Sequence, residues 1–141
     1  MVNNLHIKPP EGDNPTRKER EIATDAPLHS LSRVKELSKN RELRTVTAKC
    51  DEDLIKLSWS IYDDVPELIQ QLTEANYAKS QWCKTSSGRK GLWLACDVYK
   101  VTKAEYNPRA YRDDFYDYYL KFCINDTGKV LLIVSCHLQQ Y

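Results

Sequence analysis

Phe115–Leu138 reads FYDYYLKFCINDTGKVLLIVSCHL. Two runs rich in aromatic and β-branched residues flank Asn125-Asp126-Thr127-Gly128-Lys129, where Asn, Asp and Gly supply turn chemistry. The stretch predicts a β-hairpin. With Ile124 set opposite Val130, Tyr118, Leu120 and Phe122 share one face with Leu132, Val134 and Cys136, and that face is fit for burial. The other face carries Asp117, Tyr119, Lys121, Ser135 and His137. In this register Tyr119 stands opposite Ser135 and diagonal to His137, within reach of long side chains. A phenol, an ammonium and an imidazole then gather on one surface of a hairpin whose other surface is core. Ordinary polar residues on a half-exposed sheet face would give the same pattern.

Upstream of the hairpin the period is helical. Leu31, Val34 and Leu37 predict a first helix over about 30–39, with Lys35, Lys39 and Arg41 toward the end that favours cations. Asp51, Glu52 and Asp53 form an acidic first turn ahead of Leu54, Ile55 and Leu57, predicting a second helix from near Asp51. Asp64-Val65-Pro66-Glu67 places a capping Asp three residues before a Glu, with Pro in the first turn. Val65, Leu68, Ile69 and Leu72 then make one apolar stripe, ending near Leu72. From Ser80 the period becomes two. Ser80–Thr85 and Leu92–Val101 read as strands around a basic loop containing Arg89 and Lys90. The tyrosine-rich Lys103–Asp114 reads as a crossing, because Pro108 excludes a central strand there.

Helices followed by antiparallel strands predict an α+β fold, a sheet of four or more strands with helices on one face. One domain, residues 28–141, fits the length of 141 residues. Residues 1–27 hold four prolines and a mixed-charge run and read as an N-terminal extension, with a short helix around Arg17–Ala23 as one option. The sequence leaves open whether the extension is flexible or docked. Hydrophobic content of 41% and charged content of 29% belong to an ordinary soluble protein. The longest apolar run, Val130–Val134, is too short to span a bilayer, and Met1 is not followed by a basic-then-apolar leader, so a cytoplasmic chain is expected. Five cysteines at unpaired spacings read as reduced, buried thiols.

Net charge is +1, but unevenly spread. Asn76–Arg112 holds eight basic residues against two acidic, a net of +6, while Arg44–Ala75 has a net of −4. Phosphate loops, nucleophile elbows and paired-histidine metal motifs are missing, and no cofactor or metal ligand set is expected. A basic sheet half interleaved with aromatics suits single-stranded RNA, whose phosphates take cations and whose unpaired bases stack. RNA also carries its own nucleophile. A base for the 2′-hydroxyl, a cation on the phosphate and an acid for the leaving 5′-oxygen cleave it without metal. Lys79, Tyr119 and His137 are the candidates for these roles. Arg89, Lys90, Lys121, Arg109, Arg112 and Tyr99 are the candidates for RNA binding.

Several segments occur together in one order: Leu31-Ser32-Arg33-Val34-Lys35-Glu36-Leu37, Arg44-Thr45, Leu72 through Ser80, Asp97-Val98-Tyr99, Tyr119-Leu120-Lys121 and Leu132-Ile133-Val134-Ser135. In these the block Leu28–His137 resembles the MqsR family of bacterial toxins, the mRNA-cutting partners in type II toxin–antitoxin pairs. The resemblance implies a RelE-like fold, metal-independent cleavage of mRNA and a cognate antitoxin as partner. It puts the family's catalytic lysine on Lys79 and its tyrosine on Tyr119. Two positions depart. Cys96 stands where the family has glutamine, and a thiol lacks an amide's paired donor and acceptor. His137 replaces a lysine, and imidazole performs proton transfer near neutrality. The crossing from Val101 to Tyr118 also looks longer than the family's. The competing reading is a non-catalytic module that keeps the fold and binds nucleic acid or protein.

Overall fold

A capping box between Thr16 and Glu19 closes a single helical turn, α1 (Arg17–Arg20), which runs straight into a two-residue strand, β1 (Glu21–Ile22). This is a computed structural model, and it describes residues 8–11, 15–85 and 92–139. Arg89 and Lys90 lie outside the described residues. The choice left open for the extension is decided over residues 15–27. Glu21 and Ile22 pair with Gln81 and Ser80, and Ile22 and Leu28 pack with Trp82 and Ala95. This stretch is docked rather than a flexible tail.

The expected helices form, with shifted starts. Ser30 caps α2 (Leu31–Lys39) by accepting from the Arg33 N–H. After the short strand β2 (Leu43–Thr45), α3 (Ala48–Leu57) begins ahead of Asp51, because the Thr47 hydroxyl accepts from the Cys50 N–H and sets the start there. The third stripe is α4 (Asp64–Gln70). Asp64 is not its cap. Its carboxylate instead accepts from the Ser60 N–H at 2.7 Å and fastens the preceding turn. A 3-10 turn, Glu74–Asn76, leads into β3 (Tyr77–Lys84), followed by β4 (Trp93–Asn107), β5 (Arg112–Ile124) and β6 (Leu131–Leu138).

The described strands form one six-stranded sheet in the order β1-β3-β4-β5-β6-β2. The α+β expectation holds, but the sheet is mixed. β2 runs parallel to β6, with Leu43 beside Leu131 and Thr45 beside Ile133. A three-residue strand is too short to show a period, so the sequence carried no sign of it. α2, α3 and α4 cover one face. Val34, Leu37, Leu54, Leu68, Ile69 and Leu72 pack there against Tyr99, Val101, Tyr118, Leu120, Phe122 and Ile133. Each fully buried Leu or Ile contributes roughly 1.5–3 kcal/mol through burial alone.

Two expectations about the hairpin region are corrected. The register is not Ile124 to Val130. Ile124 pairs with Leu131, and the pairing slips by one residue between Lys121 and Phe122. Val134 is the extra residue of this β-bulge. Leu120 therefore shares the helix-covered face with Cys136, but Leu132 and Val134 turn to the opposite face, beside Cys83, Cys96 and Cys123. Leu131–Val134 is apolar throughout, because both sides of the sheet are covered at this point, and a run without alternation cannot report its own register.

Lys103–Asp114 is also not a crossing. β4 and β5 pair without a break from Asp97–Phe122 out to Asn107–Arg112. They project as a two-stranded arm, with Pro108 in its turn rather than in a strand. The Asn107 side chain accepts from the Arg109 and Ala110 N–H groups and donates to Asp114, which ties the turn together. Tyr106, Tyr111, Phe115 and Tyr116 stand exposed along this arm. The five cysteines are free thiols and buried, as expected.

Candidate active site

Alternation along the central strands decides which side chains share a surface. Tyr99, Val101, Tyr118 and Leu120 point to the helices. Lys100, Tyr119 and Lys121, one residue out of phase, therefore point away from them. Across the sheet Lys100 pairs with Tyr119 and Tyr119 with His137; one row on, Lys79 pairs with Val98, Val98 with Lys121 and Lys121 with Ser135. Lys79, Lys100, Lys121, Tyr119 and His137 thus occupy one face, opposite the helices. Lys79 reaches it because a register shift between Tyr77 and Lys79 resets the phase of β3.

Tyr119 and His137 are direct partners rather than diagonal neighbours, because the Ile124–Leu131 register and the bulge between it and this pair together shift β6 by two residues. Their rings stack with centroids 5.0 Å apart. Nδ1 of His137 lies 2.7 Å from the Leu138 carbonyl oxygen. A carbonyl can only accept, so Nδ1 carries the proton and Nε2 of the neutral ring is the nitrogen left to take one. The other described histidine differs. His29 is buried, with Nε2 donating to the Ala95 carbonyl and Nδ1 accepting from the Ile124 N–H. Both nitrogens are engaged, and His29 serves the structure.

A hollow of about 430 Å³ is lined by Pro15, Arg17, Arg20, Lys79, Gln81 and Tyr119. A second, of about 320 Å³, includes Arg20, Gln81, Cys83, Lys84, Lys121 and Ser135. Arg20 and Gln81 border both, so the two form a continuous basic track. His137 lines an adjoining hollow with Lys49, Asp53 and Lys56, and its stacked partner Tyr119 is the bridge between them. A further hollow of about 530 Å³ by Arg44, Thr45 and Leu132 lies apart from these groups, and its carboxylate, Asp51, is engaged by the Thr45 hydroxyl.

The track's electrostatics follow from crowded cations. Burial lowers the pKa of Lys79, and the charges of Arg17, Lys121 and Lys100 lower it further, against the opposing pull of Glu21. Burial works the same way on Lys121, but the Cys83 sulfur and Tyr119 outweigh it and hold its pKa above the usual lysine range. Its ammonium lies 5.6 Å from the Tyr119 ring centroid. Among the described residues, no carboxylate makes an ion pair with Lys79, Lys100, Lys121, Arg17 or Arg20. Uncompensated cations of this kind attract anions.

The other expected RNA-binding residues fare less well. Tyr99 is fully buried, stacked on Phe122 at 5.3 Å on the helix side, and cannot meet RNA. Arg112 is on the arm, paired with Asp114, and shares the phase of Tyr118 rather than Tyr119. It lies roughly 24 Å along β5 from Tyr119 at ~3.4 Å per residue. Arg109 is in the arm's turn. Lys103, counted in the basic segment, is spent on Glu67 and Glu105 under the helices. Arg17 and Arg20 were missed, since a charge run in a proline-rich extension carries no sign of where it docks. Cys96 is buried between Cys83 and Cys123, and burial pushes its thiol pKa up. Gln81, directly opposite it on β3, presents an amide to the track.

No protein-family model matches the chain, and no curated protein matches it in sequence. Among the described residues, no helix is long and apolar enough to cross a membrane.

Proposed function

We propose that this chain is an endoribonuclease that cleaves single-stranded mRNA without metal, acting in the cytoplasm as the toxin of a toxin–antitoxin pair with a RelE-like, MqsR-like domain. The observation that carries the reading is the gathering of Lys79, Tyr119 and His137, with Lys100 and Lys121, on the one sheet face that the helices leave open. In this reading Nε2 of His137 takes the proton of a 2′-hydroxyl. The 2′-oxygen attacks the adjacent phosphorus, the P–O5′ bond breaks as the 5′-oxygen takes that proton back from the His137 imidazolium, and a 2′,3′-cyclic phosphate remains. Lys79 holds the phosphate as charge builds on it. Tyr119 fixes the imidazole by stacking and presents its hydroxyl to the same phosphate or its ring to a neighbouring base.

A second reading, an RNA-binding module without catalysis, is favoured by one feature: His137 lines a hollow adjoining, not shared with, that of Lys79. Incubating the full chain with a long RNA in EDTA separates the two. Fragments ending in cyclic phosphate support the nuclease. Intact RNA with shifted mobility supports the binder. Expression in a bacterial host should arrest growth and deplete mRNA, and an antitoxin encoded nearby should relieve the arrest.

A further inference from the structure

Residues 15–22 form a strap along the sheet edge beside the site. The strap is fastened at both ends: Pro15 is buried, and Ile22 packs against Leu28, Trp82 and Ala95. The capping box of Thr16 and Glu19 stiffens the turn between them and occupies the Glu19 carboxylate. Arg17 and Arg20 therefore project from a held backbone although both are exposed. Both line the hollow that contains Lys79 and Tyr119. Arg20 continues into the hollow of Lys84 and Lys121, its guanidinium 5.7 Å from the Trp93 ring centroid. The sheet is one wall of the track and the strap is the other. Glu21 of the strap offsets part of the charge at Lys79 but forms no ion pair there among the described residues, and like charges drawn together in this way make sense when an anion lies between them. Guanidinium forks match phosphate oxygens with two parallel N–H groups.

We infer that the strap is the second wall of the substrate channel, with Arg17 and Arg20 binding phosphates that flank the scissile one in a single-stranded RNA. This rests on the RNA reading of Lys79 and Tyr119. Binding is measured on the full chain with an uncleavable 2′-O-methyl single strand across a salt series. Arg17→Ala and Arg20→Ala should each flatten the slope of log affinity against log salt by about 0.7, one phosphate contact on a single strand. The double variant should lose about 1.4. Ile22→Asp, which releases the strap but keeps both arginines, should weaken binding as the double variant does. An unchanged slope in the double variant overturns the inference. So does equal flattening by Lys39→Ala on α2, which would make the effect one of bulk charge. Cleavage by the wild type with unaltered slopes in the arginine variants would remove the strap and leave the nuclease. Flattened slopes without any cleavage would keep the strap and remove the catalysis. A wild type that does not bind the strand overturns both.

Discussion

The ring of Tyr119 lies 5.0 Å from the ring of His137, with only 11° between their planes. The Nδ1 proton is spent on the Leu138 carbonyl, so the imidazole is held in one orientation and one tautomer. A preorganised base of this kind typically contributes about 10²–10⁴-fold in rate. His137→Ala should lose about that much cleavage and leave RNA affinity nearly unchanged. A wild-type rate would remove the histidine from the chemistry.

Tyr119→Phe keeps the ring against His137 and removes only the hydroxyl. A loss of tenfold or more in kcat, about 1.4 kcal/mol in the barrier, assigns the hydroxyl to the reacting phosphate. An unchanged kcat with unchanged KM assigns Tyr119 to holding the imidazole. Tyr119→Ala, which also removes the stack, should be the more damaging of the two.

Lys79 has a folded-state pKa below its ordinary value, first through burial and then through Arg17. The sign follows for stability. The folded chain binds this proton less readily than the unfolded chain, so the charge opposes folding below the folded pKa, and the penalty fades as pH rises from the folded pKa to the unfolded value of about 10.4. Lys79→Met should abolish most cleavage yet leave stability at neutral pH unchanged or slightly raised, within ~0.5 kcal/mol. Melting curves of both proteins from neutral to alkaline pH check this. A marked drop in Tm for the variant would give Lys79 a structural role instead.

Asp97 is a buried latch between the sheet and the start of α2. Its carboxylate accepts from the Leu28 and His29 N–H groups, each at 2.9 Å, and from the Ser80 hydroxyl at 2.6 Å. Asp97→Ala strands three donors away from water and should cost at least ~3 kcal/mol. Urea unfolding measures the loss. A cost below ~1 kcal/mol would mean that these donors find other partners.

Arg109 and Arg112 are on the arm, away from the track. Replacing both by Ala should leave the salt dependence of RNA binding unchanged, whereas Lys100→Ala and Lys121→Ala should each flatten it. Flattening by the arm variant would bring the arm into the RNA interface.

Local chemistry was enough to reveal α2 and α4, the 125–129 turn and the alternation that sets Tyr119, Lys121 and His137 against a buried side. These features depend on residues three or four apart in a helix or two apart in a strand, and neighbours in the chain report them directly. The bulge at Val134, the parallel strand Leu43–Thr45 and the docking of Arg17 and Arg20 were not legible there. Each depends on partners far along the chain: Val134 on β5, Thr45 on Ile133, and Ile22 on Ser80. Tyr99 and Tyr119 make the same point within the central strands. Both read as tyrosines in basic, aromatic strands, and only the opposite phases of β4 and β5 bury one ring and open the other to the track. The sequence by itself determined the local elements and the candidate side chains they carry. Tertiary pairing decided which of them meet, because register and sheet order are set by contacts between segments rather than by any one segment's own pattern.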